Sequence, residues 1–129
     1  MNIKINNENK VIIKKHKKDK LKELLSNKEY QVLYLVGNQY CDRKPNKYDK
    51  NIILEFEKDN IYDPNAIKIV SIIDDTKIKL GYISKDYTQQ FKSILNKIKI
   101  EYIVKVKNKD NPNHPYYHLL YKITKYPIR

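Results

Sequence analysis

The sequence predicts a mainly β, α+β fold in which about six short strands and one helix form a small, partly open barrel. Three features lead to this fold class. Apolar and polar residues alternate in short segments after residue 30, turn-forming residues separate those segments, and one stretch between the fourth and fifth segments has helical spacing instead. The chain has 129 residues, 40% of them hydrophobic, which suffices for one compact domain but not for two.

The N-terminal segment 1–29 is predicted as a basic extension, partly disordered or in a short helix, and residues 30–129 as the barrel domain. Most of the extension is polar and rich in lysine, and the apolar cluster Val11–Ile13 buries too little surface to offset the ordering entropy. Asp19 is a suitable N-cap for a short helix with three leucines on one face. The basic run Lys14–Lys18 is interpreted as a solvated tail, with a nucleic-acid arm or localisation signal as the alternative.

The predicted strands follow one another at regular intervals. The first is a nearly continuous apolar run with a bend at Gly37, which indicates a buried strand, and the second and fifth alternate as half-buried strands do. Asp74–Lys77 forms the hairpin turn between the third and fourth strands. The strands span residues 31–41, 51–57, 66–73, 78–83, 100–107 and 117–123.

The predicted helix begins after Ser84, a favourable N-cap, and Asp86 complements the helix dipole in the first turn. Apolar residues then recur at the spacing of one helical face as far as residue 98. They are Tyr87, Phe91, Ile94, Leu95 and Ile98.

The segment 59–69 is the most distinctive stretch, because it gathers turn formers and a tyrosine directly ahead of the third strand. Asp63 precedes Pro64 and is therefore extended, and Pro64 and Asn65 fit the central positions of a type I turn. We expect the Asp63 carboxylate at the mouth of this turn. Its structural role there would be to accept hydrogen bonds from the backbone amides two and three residues further on.

The formal net charge of +12 is compatible with nucleic-acid binding, since lysines and arginines that neutralise phosphates release counterions. A compositional explanation competes with this one. Abundant Lys, Asn, Ile and Tyr with only two arginines, Arg43 and Arg129, is the pattern that an AT-rich genome imposes on its proteins. Positive charge is concentrated in residues 1–30 and 71–129, so a basic patch would draw on both ends of the chain.

Several classes of protein are not indicated by this sequence. The single cysteine, Cys41, forms no intramolecular disulfide and points to a reducing compartment. No apolar run reaches the length of a membrane span and no secretory leader is present, so we expect an intracellular protein of the cytoplasm or the nucleus or nucleoid. Without a phosphate-binding glycine loop, a nucleophile elbow or a metal-spaced Cys/His set, we predict no enzymatic activity, no cofactor and no metal.

Three motifs carry a resemblance to a known family. The segments 35–40 (LVGNQY), 54–69 (LEFEKDNIYDPNAIKI) and 80–85 (LGYISK) resemble the HIRAN domain family, whose pattern is V-G-x-x-Y, R-E-x-x-N-P-Y-D-x-N-A-I-x-V and V-G-Y/H-(I/L)-x-(R/K). The resemblance spans residues 31–125 and implies a modified oligonucleotide-binding (OB-like) barrel. This domain is found in Swi/Snf-type fork-remodelling ATPases and in stand-alone or nuclease-linked forms, and its best understood members bind single-stranded DNA and capture the free 3′-hydroxyl end.

The resemblance also nominates a binding pocket. A tyrosine ring can stack on a base, an aspartate can accept the hydrogen bond of a terminal hydroxyl, and a lysine can meet the adjacent phosphate. A carboxylate repels phosphate, which makes Asp63 the residue that would favour a terminus over an internal nucleotide. The nominated residues are Gln39, Tyr40, Asn60, Tyr62, Asp63, Tyr82 and Lys85.

Some positions depart from the family, and some have structural alternatives. Gln39-Tyr40-Cys41 stands where DNA-end-binding relatives have Arg-Tyr-Tyr, and Tyr82 stands where they have His. Tyr62 is expected to pack and fix the loop rather than to stack, and Asn60 to shape the turn. The tyrosines of the last hairpin are expected to serve in core and edge packing, with an extended binding face as the alternative. They are Tyr116, Tyr117 and Tyr121.

Two functions follow from these considerations. The first is a nucleic-acid-binding module for single-stranded DNA, with 3′-end recognition, in processes such as DNA repair or replication. RNA stays open as a ligand, because stacking platforms accept any base. The alternative is a protein-interaction or structural module with a vestigial DNA pocket, which recruits a partner through the N-terminal tail or a barrel edge.

Overall fold

The computed structural model describes residues 10–12 and 29–127, which form strands and one α-helix. Two short 3-10 turns, Asn38–Tyr40 and Leu95–Lys97, lie in the connections between these elements. The helix is α1 (Lys85–Phe91). The strands are β1 (Lys10–Ile12), β2 (Gln31–Val36), β3 (Ile53–Phe56), β4 (Ile67–Ile73), β5 (Thr76–Ile83), β6 (Ile98–Val106) and β7 (Tyr116–Ile123).

The strands form one sheet in the order β1-β6-β7-β2-β5-β4-β3. β1 runs parallel to β6, and every other neighbouring pair is antiparallel. The edge strand β3 comes within 8 Å (Cα–Cα) of β6, although in the described part of the chain the two form no ladder. The sheet is therefore curled but open, and the predicted class, a mainly β, α+β, OB-like fold with one helix, is confirmed.

The core lies on the concave side of this sheet, because alternate residues of each strand point inward. Leu33 of β2, Ile69 of β4 and Leu119 of β7 are at most 2% exposed, and helix α1 adds Phe91 to the same cluster. The aromatic ring of Phe91 meets that of Tyr121 edge to face with centroids 5.6 Å apart. Tyr117 and Tyr121 are both 5% exposed, which confirms the packing role predicted for these two tyrosines.

The helix is shorter than its apolar periodicity predicts. Ser84 caps it as expected, with its hydroxyl accepting a hydrogen bond from the Asp86 amide at 3.3 Å, but the helix ends at Phe91. Leu95 lies in a 3-10 turn, and Ile98 begins β6, where it is opposite Ile123 of β7. The strand ladder satisfies the backbone groups there, and the isoleucines alternating from residue 98 favour β structure over a longer helix.

Other elements differ less from expectation. β2 ends at Val36 and does not continue through the bend, because Gly37 has the left-handed φ of 68° and leads into a 3-10 turn. The hairpin turn between β4 and β5 lies where predicted, with φ of 49° and 63° at Asp74 and Asp75. Strand β1 was not predicted.

The predicted helix after Asp19 and the basic run Lys14–Lys18 lie outside the described residues. The division into an extension and a barrel domain stays a prediction. No helix in the described residues has the length and apolar content needed to span a bilayer.

Gly81 lets β5 approach β2 closely. A Cβ at this position would lie 2.6 Å from Leu35 Cδ2, 2.7 Å from Leu35 Cγ and 3.0 Å from the Val36 carbonyl oxygen. Distances this short are repulsive, so only glycine allows the ladder in which Val36 is opposite Tyr82. The close approach fixes the position of Tyr82 relative to β2.

We expect Gly81→Ala to lower the free energy of unfolding by about 1–3 kcal/mol, the usual cost of overpacking. Urea denaturation measures this change. In a Leu35→Ala background the same substitution should cost less, because the nearest clashing atoms are gone. An equal cost in both backgrounds would show that the clash with Leu35 is not the cause.

Candidate nucleic-acid interface

A pocket of about 820 Å³ opens between the end of β2, the middle of β5 and the loop that follows β3. Five residues nominated from the sequence line it, which are Tyr40, Asn60, Tyr62, Asp63 and Tyr82. Gln39 and Lys85 are exposed and do not line it: Gln39 lies in the 3-10 turn after β2, and Lys85 begins α1. The further lining residues are Val36, Gly37, Glu57, Asp59, Ile61, Ala66, Lys79 and Ile83.

The floor of the pocket is a hydrogen-bonded cluster around Glu57, which directly follows β3. The Tyr82 hydroxyl donates to Glu57 Oε1 at 2.7 Å, and Asn60 Nδ2 donates to the same oxygen at 3.1 Å. Lys79 Nζ donates to Glu57 Oε2 at 3.0 Å and to the Tyr82 hydroxyl at 2.8 Å. The Glu57 side chain is only 12% exposed, so these bonds replace water around its charge.

The same contacts set the protonation states in this cluster. Burial alone would raise the pKa of Glu57, but hydrogen bonds from Tyr82 and Lys79 and the charge of Lys79 hold it below its ordinary value. The hydrogen bond with Tyr82, together with Glu57, raises the pKa of Lys79 in spite of partial burial. Burial also raises the pKa of the Tyr82 phenol, with Glu57 adding to the effect. At neutral pH, Glu57 and Lys79 are therefore an ion pair and Tyr82 is neutral.

Asn60 shapes the loop above this floor, as predicted. Its Oδ1 accepts hydrogen bonds from the backbone amides of Tyr62 and Asp63, both at 2.9 Å. The Ala66 amide then donates to the Asp63 carbonyl at 3.0 Å, which closes the predicted turn over Pro64 and Asn65. Asn60 thus joins the loop backbone to Glu57.

Asp63 has the structural role expected of a turn aspartate. Its Oδ1 accepts a hydrogen bond from the Asn65 amide at 3.0 Å, two residues further on. No described residue donates to its second carboxylate oxygen. Asp63 therefore closes the turn with one oxygen, has a second oxygen without a donor among the described residues, and lines the pocket.

Two tyrosines stand at the rim. Tyr40 is 75% exposed at the end of the 3-10 turn, and Tyr62 is 92% exposed in the loop. The packing role predicted for Tyr62 is wrong, because its side chain contacts almost nothing. Gly37 leaves space for the third ring, since a Cβ there would lie 3.0 Å from Tyr82 Cδ2.

Glu57 and Lys79 were missed as site residues. Glu57 had a signal, because it lies three residues before Asn60, where the family pattern has glutamate. Lys79 had none: in a regular strand, residues three apart point to opposite faces. A β-bulge changes this, since Ile69 is opposite Gly81 while Val70 is opposite Lys79. The extra residue brings Lys79 to the same side as Tyr82.

No three His, Cys, Asp or Glu side chains in the described residues are grouped as a metal site requires. The Glu57 carboxylate is instead engaged with amide, ammonium and phenol groups. The pocket is a concave surface with aromatic, acidic and hydroxyl groups.

The OB-like barrel and its aromatic pocket define a small binding module, and comparison with family models agrees. The model described as HIRAN domain matches residues 28–122, so the chain belongs to the HIRAN domain family, as the motifs indicated. The HIRAN domain is generally a DNA-binding module and is not itself catalytic. Comparisons with curated proteins and with solved structures gave no match.

The lowered pKa of Glu57 implies that the free energy of unfolding depends on pH. Because the folded-state pKa lies below the ordinary 4.5, the stabilisation is present above pH 4.5 and is lost as pH falls through the folded value. We expect Glu57→Gln to lower the free energy of unfolding by about 1–3 kcal/mol at pH 7, and the difference from wild type to shrink in acid.

Urea denaturation at a series of pH values measures this difference. Asp110→Asn, which removes the same charge from an exposed loop carboxylate, controls for net charge. Glu55, whose pKa is also lowered, is present in both proteins and cancels. A difference that stays constant as the pH falls below 4.5, to the lowest pH at which both proteins remain folded, would mean that the charge of Glu57 is not what stabilises the cluster.

Proposed function

We propose that this domain binds single-stranded DNA and captures its free 3′-hydroxyl end in the pocket. The observation that carries the proposal is Asp63, which lines an aromatic pocket with a carboxylate oxygen that accepts no hydrogen bond from the described residues. A terminal hydroxyl is a hydrogen-bond donor and fits this acceptor. Processes that expose DNA ends, such as repair and replication, are where this activity would be used.

The charge of the pocket supports a terminus over an internal nucleotide. Lys79 is engaged with Glu57 at 3.0 Å, so the ion pair leaves little net charge. Asp59 and Asp63 also line the pocket, and no lysine or arginine in the described residues forms an ion pair with either. A phosphodiester placed there would meet two carboxylates, whereas a hydroxyl would meet two acceptors.

Stacking would supply the binding free energy that phosphate contacts do not supply in the pocket. Tyr40 and Tyr62 present exposed rings at the rim, and base stacking on an aromatic side chain contributes about 1–3 kcal/mol per base. Gln39 and Lys85, which lie outside the pocket, would contact the backbone of the preceding nucleotides. Base contacts would then lie at the rim of the pocket and phosphate contacts outside it.

Asp63→Asn separates the turn from the charge. Asparagine keeps one oxygen for the Asn65 amide but places an NH₂ donor where the second oxygen was, so it cannot accept the terminal hydroxyl. We expect wild type to bind a short single-stranded DNA with a free 3′-hydroxyl more tightly than its 3′-phosphorylated form, by roughly tenfold or more. Asp63→Asn should lose most of that preference in fluorescence anisotropy.

Asp59→Asn is the matched control, since it removes a charge from the same pocket without touching the turn. Asp63→Ala should lose the preference as well and also weaken the turn. If wild type binds both ends equally, end capture is excluded. If Asp59→Asn loses the preference as completely as Asp63→Asn, the effect is one of pocket charge and not of a specific acceptor.

The alternative, a protein-interaction module, is favoured by one observation. Ile61 is 86% exposed and is the chain neighbour of Tyr62, which is 92% exposed. An exposed aliphatic residue contributes more to a protein interface than to base stacking. Such a partner would bury both residues. The pocket would then be an anchor site for a peptide side chain.

Salt distinguishes the two functions. Single-strand binding that depends on phosphate contacts should weaken with a log–log slope of about −0.7 for each phosphate contacted, so that raising NaCl from low to physiological concentration costs most of the affinity. A hydrophobic protein interface should change little. Anisotropy of one labelled oligonucleotide across a salt series measures the slope, and a slope near zero would exclude phosphate-dependent binding.

A further inference from the structure

The 3-10 turn that carries Tyr40 is built around one side chain, that of Asn38. Nδ2 of Asn38 donates to the Leu80 carbonyl oxygen at 2.7 Å and to the Arg43 carbonyl oxygen at 3.0 Å. The backbone closes the same turn with a hydrogen bond from the Tyr40 amide to the Gly37 carbonyl at 3.0 Å. Of these three bonds, the one to Leu80 joins the turn to another strand, β5.

The Leu80 carbonyl needs this bond because of its place in the sheet. The register between β4 and β5 shifts here, and Leu80 has no residue opposite it in β4. Toward β2, the ladder stops at Val36, which is opposite Tyr82; a continued ladder would place residue 38 opposite Leu80. Leu80 is 0% exposed, so water does not reach its carbonyl oxygen. The side chain of Asn38 thus supplies the donor that a longer β2 would have supplied from its backbone.

The place of the Tyr40 ring depends on this turn. The side chain is 75% exposed, and no described residue forms a hydrogen bond with its hydroxyl. A Cβ on Gly37 would lie 3.0 Å from Tyr82 Cδ2 and 3.7 Å from Tyr40 Cδ2, so both rings border the same point. Tyr82 is held by its bonds to Glu57 and Lys79, whereas Tyr40 has no such contacts. Its position relative to Tyr82 therefore follows from the backbone of the turn.

We propose that Asn38 is a positioning residue, which holds the turn against β5 so that Tyr40 stands beside Tyr82 and stacks a base. The inference rests on the proposed function for the ligand that stacks. Asn38 does not line the pocket and acts through Tyr40. A ring that is fixed before binding loses less conformational freedom when a base stacks on it, so affinity depends on Asn38 without any contact between Asn38 and the ligand.

A tryptophan reporter tests the positioning without any ligand. The chain has no tryptophan, so Tyr40→Trp introduces a single one at an exposed position. Time-resolved fluorescence anisotropy of the free protein then measures the local motion of that ring. We expect Asn38→Ala/Tyr40→Trp to show a larger fast-decaying component than Tyr40→Trp. Asn38→Ser, which retains one donor on a shorter side chain, should give the same change to a smaller extent and replaces Asn38→Ala if that variant does not fold.

Asn108→Ala/Tyr40→Trp is the matched control. Asn108 orders the loop between β6 and β7 in a similar way, with Nδ2 donating to the His114 carbonyl at 3.0 Å and Oδ1 accepting from the Asp110 amide at 3.1 Å. This control should leave the fast component as it is in Tyr40→Trp. An unchanged component in the Asn38 variants, or an equal rise in the Asn108 control, would overturn the proposal.

Binding of a labelled octanucleotide with a free 3′-hydroxyl at low salt tests the consequence for the ligand. Asn38→Ala and Tyr40→Ala should each weaken binding about tenfold, and the double variant should be no weaker than Tyr40→Ala. The effects of Asn38→Ala and Tyr62→Ala should instead multiply, because the loop of Tyr62 is shaped by Asn60. Asn108→Ala should bind as wild type does.

These outcomes separate the role of Asn38 from end capture. If the effects of Asn38→Ala and Tyr40→Ala multiply, Asn38 does not act through Tyr40 and the proposal is overturned. If wild type binds 3′-hydroxyl and 3′-phosphate ends equally but the two variants are non-additive, end capture fails and the role of Asn38 stands. If wild type does not bind the octanucleotide, the proposed function and the stacking role fail together, and the tryptophan anisotropy still decides whether Asn38 holds the ring.

Discussion

The Glu57 carboxylate holds together the parts of the chain that form the site. It accepts hydrogen bonds from Asn60 in the loop and from Lys79 and Tyr82 on β5, at 2.7–3.1 Å. Because only 12% of the side chain is exposed, water replaces a lost donor poorly, and removing any one of the three weakens the hydrogen bonding of the charge. The distance between the loop and β5, and with it the shape of the pocket, depends on this one group.

This cluster has a consequence for recognition. Lys79, which lines the pocket, is paired with Glu57, so the pocket itself offers acceptors and aromatic rings but no free cation in its described lining. Affinity for a polyanion must then arise elsewhere on the surface. Lys85, which is exposed at the start of α1 outside the pocket, would contribute to it. A ligand with one uncharged end and a charged remainder matches this arrangement better than a uniformly charged one.

The fold class and the places of the strands along the chain could be predicted because alternation and turn residues are local signals. The end of α1 could not be predicted. Leu95 and Ile98 are buried in a turn and a strand, and they would show the same apolar spacing if they were buried on the face of a longer helix. The spacing of these apolar residues therefore indicates that they are buried but does not indicate their secondary structure. For the site, the motif residues Asn60 and Asp63 are brought together by their own turn, which sequence shows well. The exposure of Tyr62 depends on what packs against it, which sequence does not show.

Lys79 and Tyr82 explain each other. Tyr82 carries a phenol, whose hydroxyl both donates to Glu57 and accepts from Lys79. A tyrosine without Lys79 would leave its oxygen and the second oxygen of Glu57 without this donor, and Lys79 without the tyrosine would lose one of its two acceptors. The β-bulge between β4 and β5 is what allows the pair, because it brings residues three apart to one face. Tyr82, a residue of the motif, is thus held by Lys79 outside it, and together they fix one aromatic wall of the pocket.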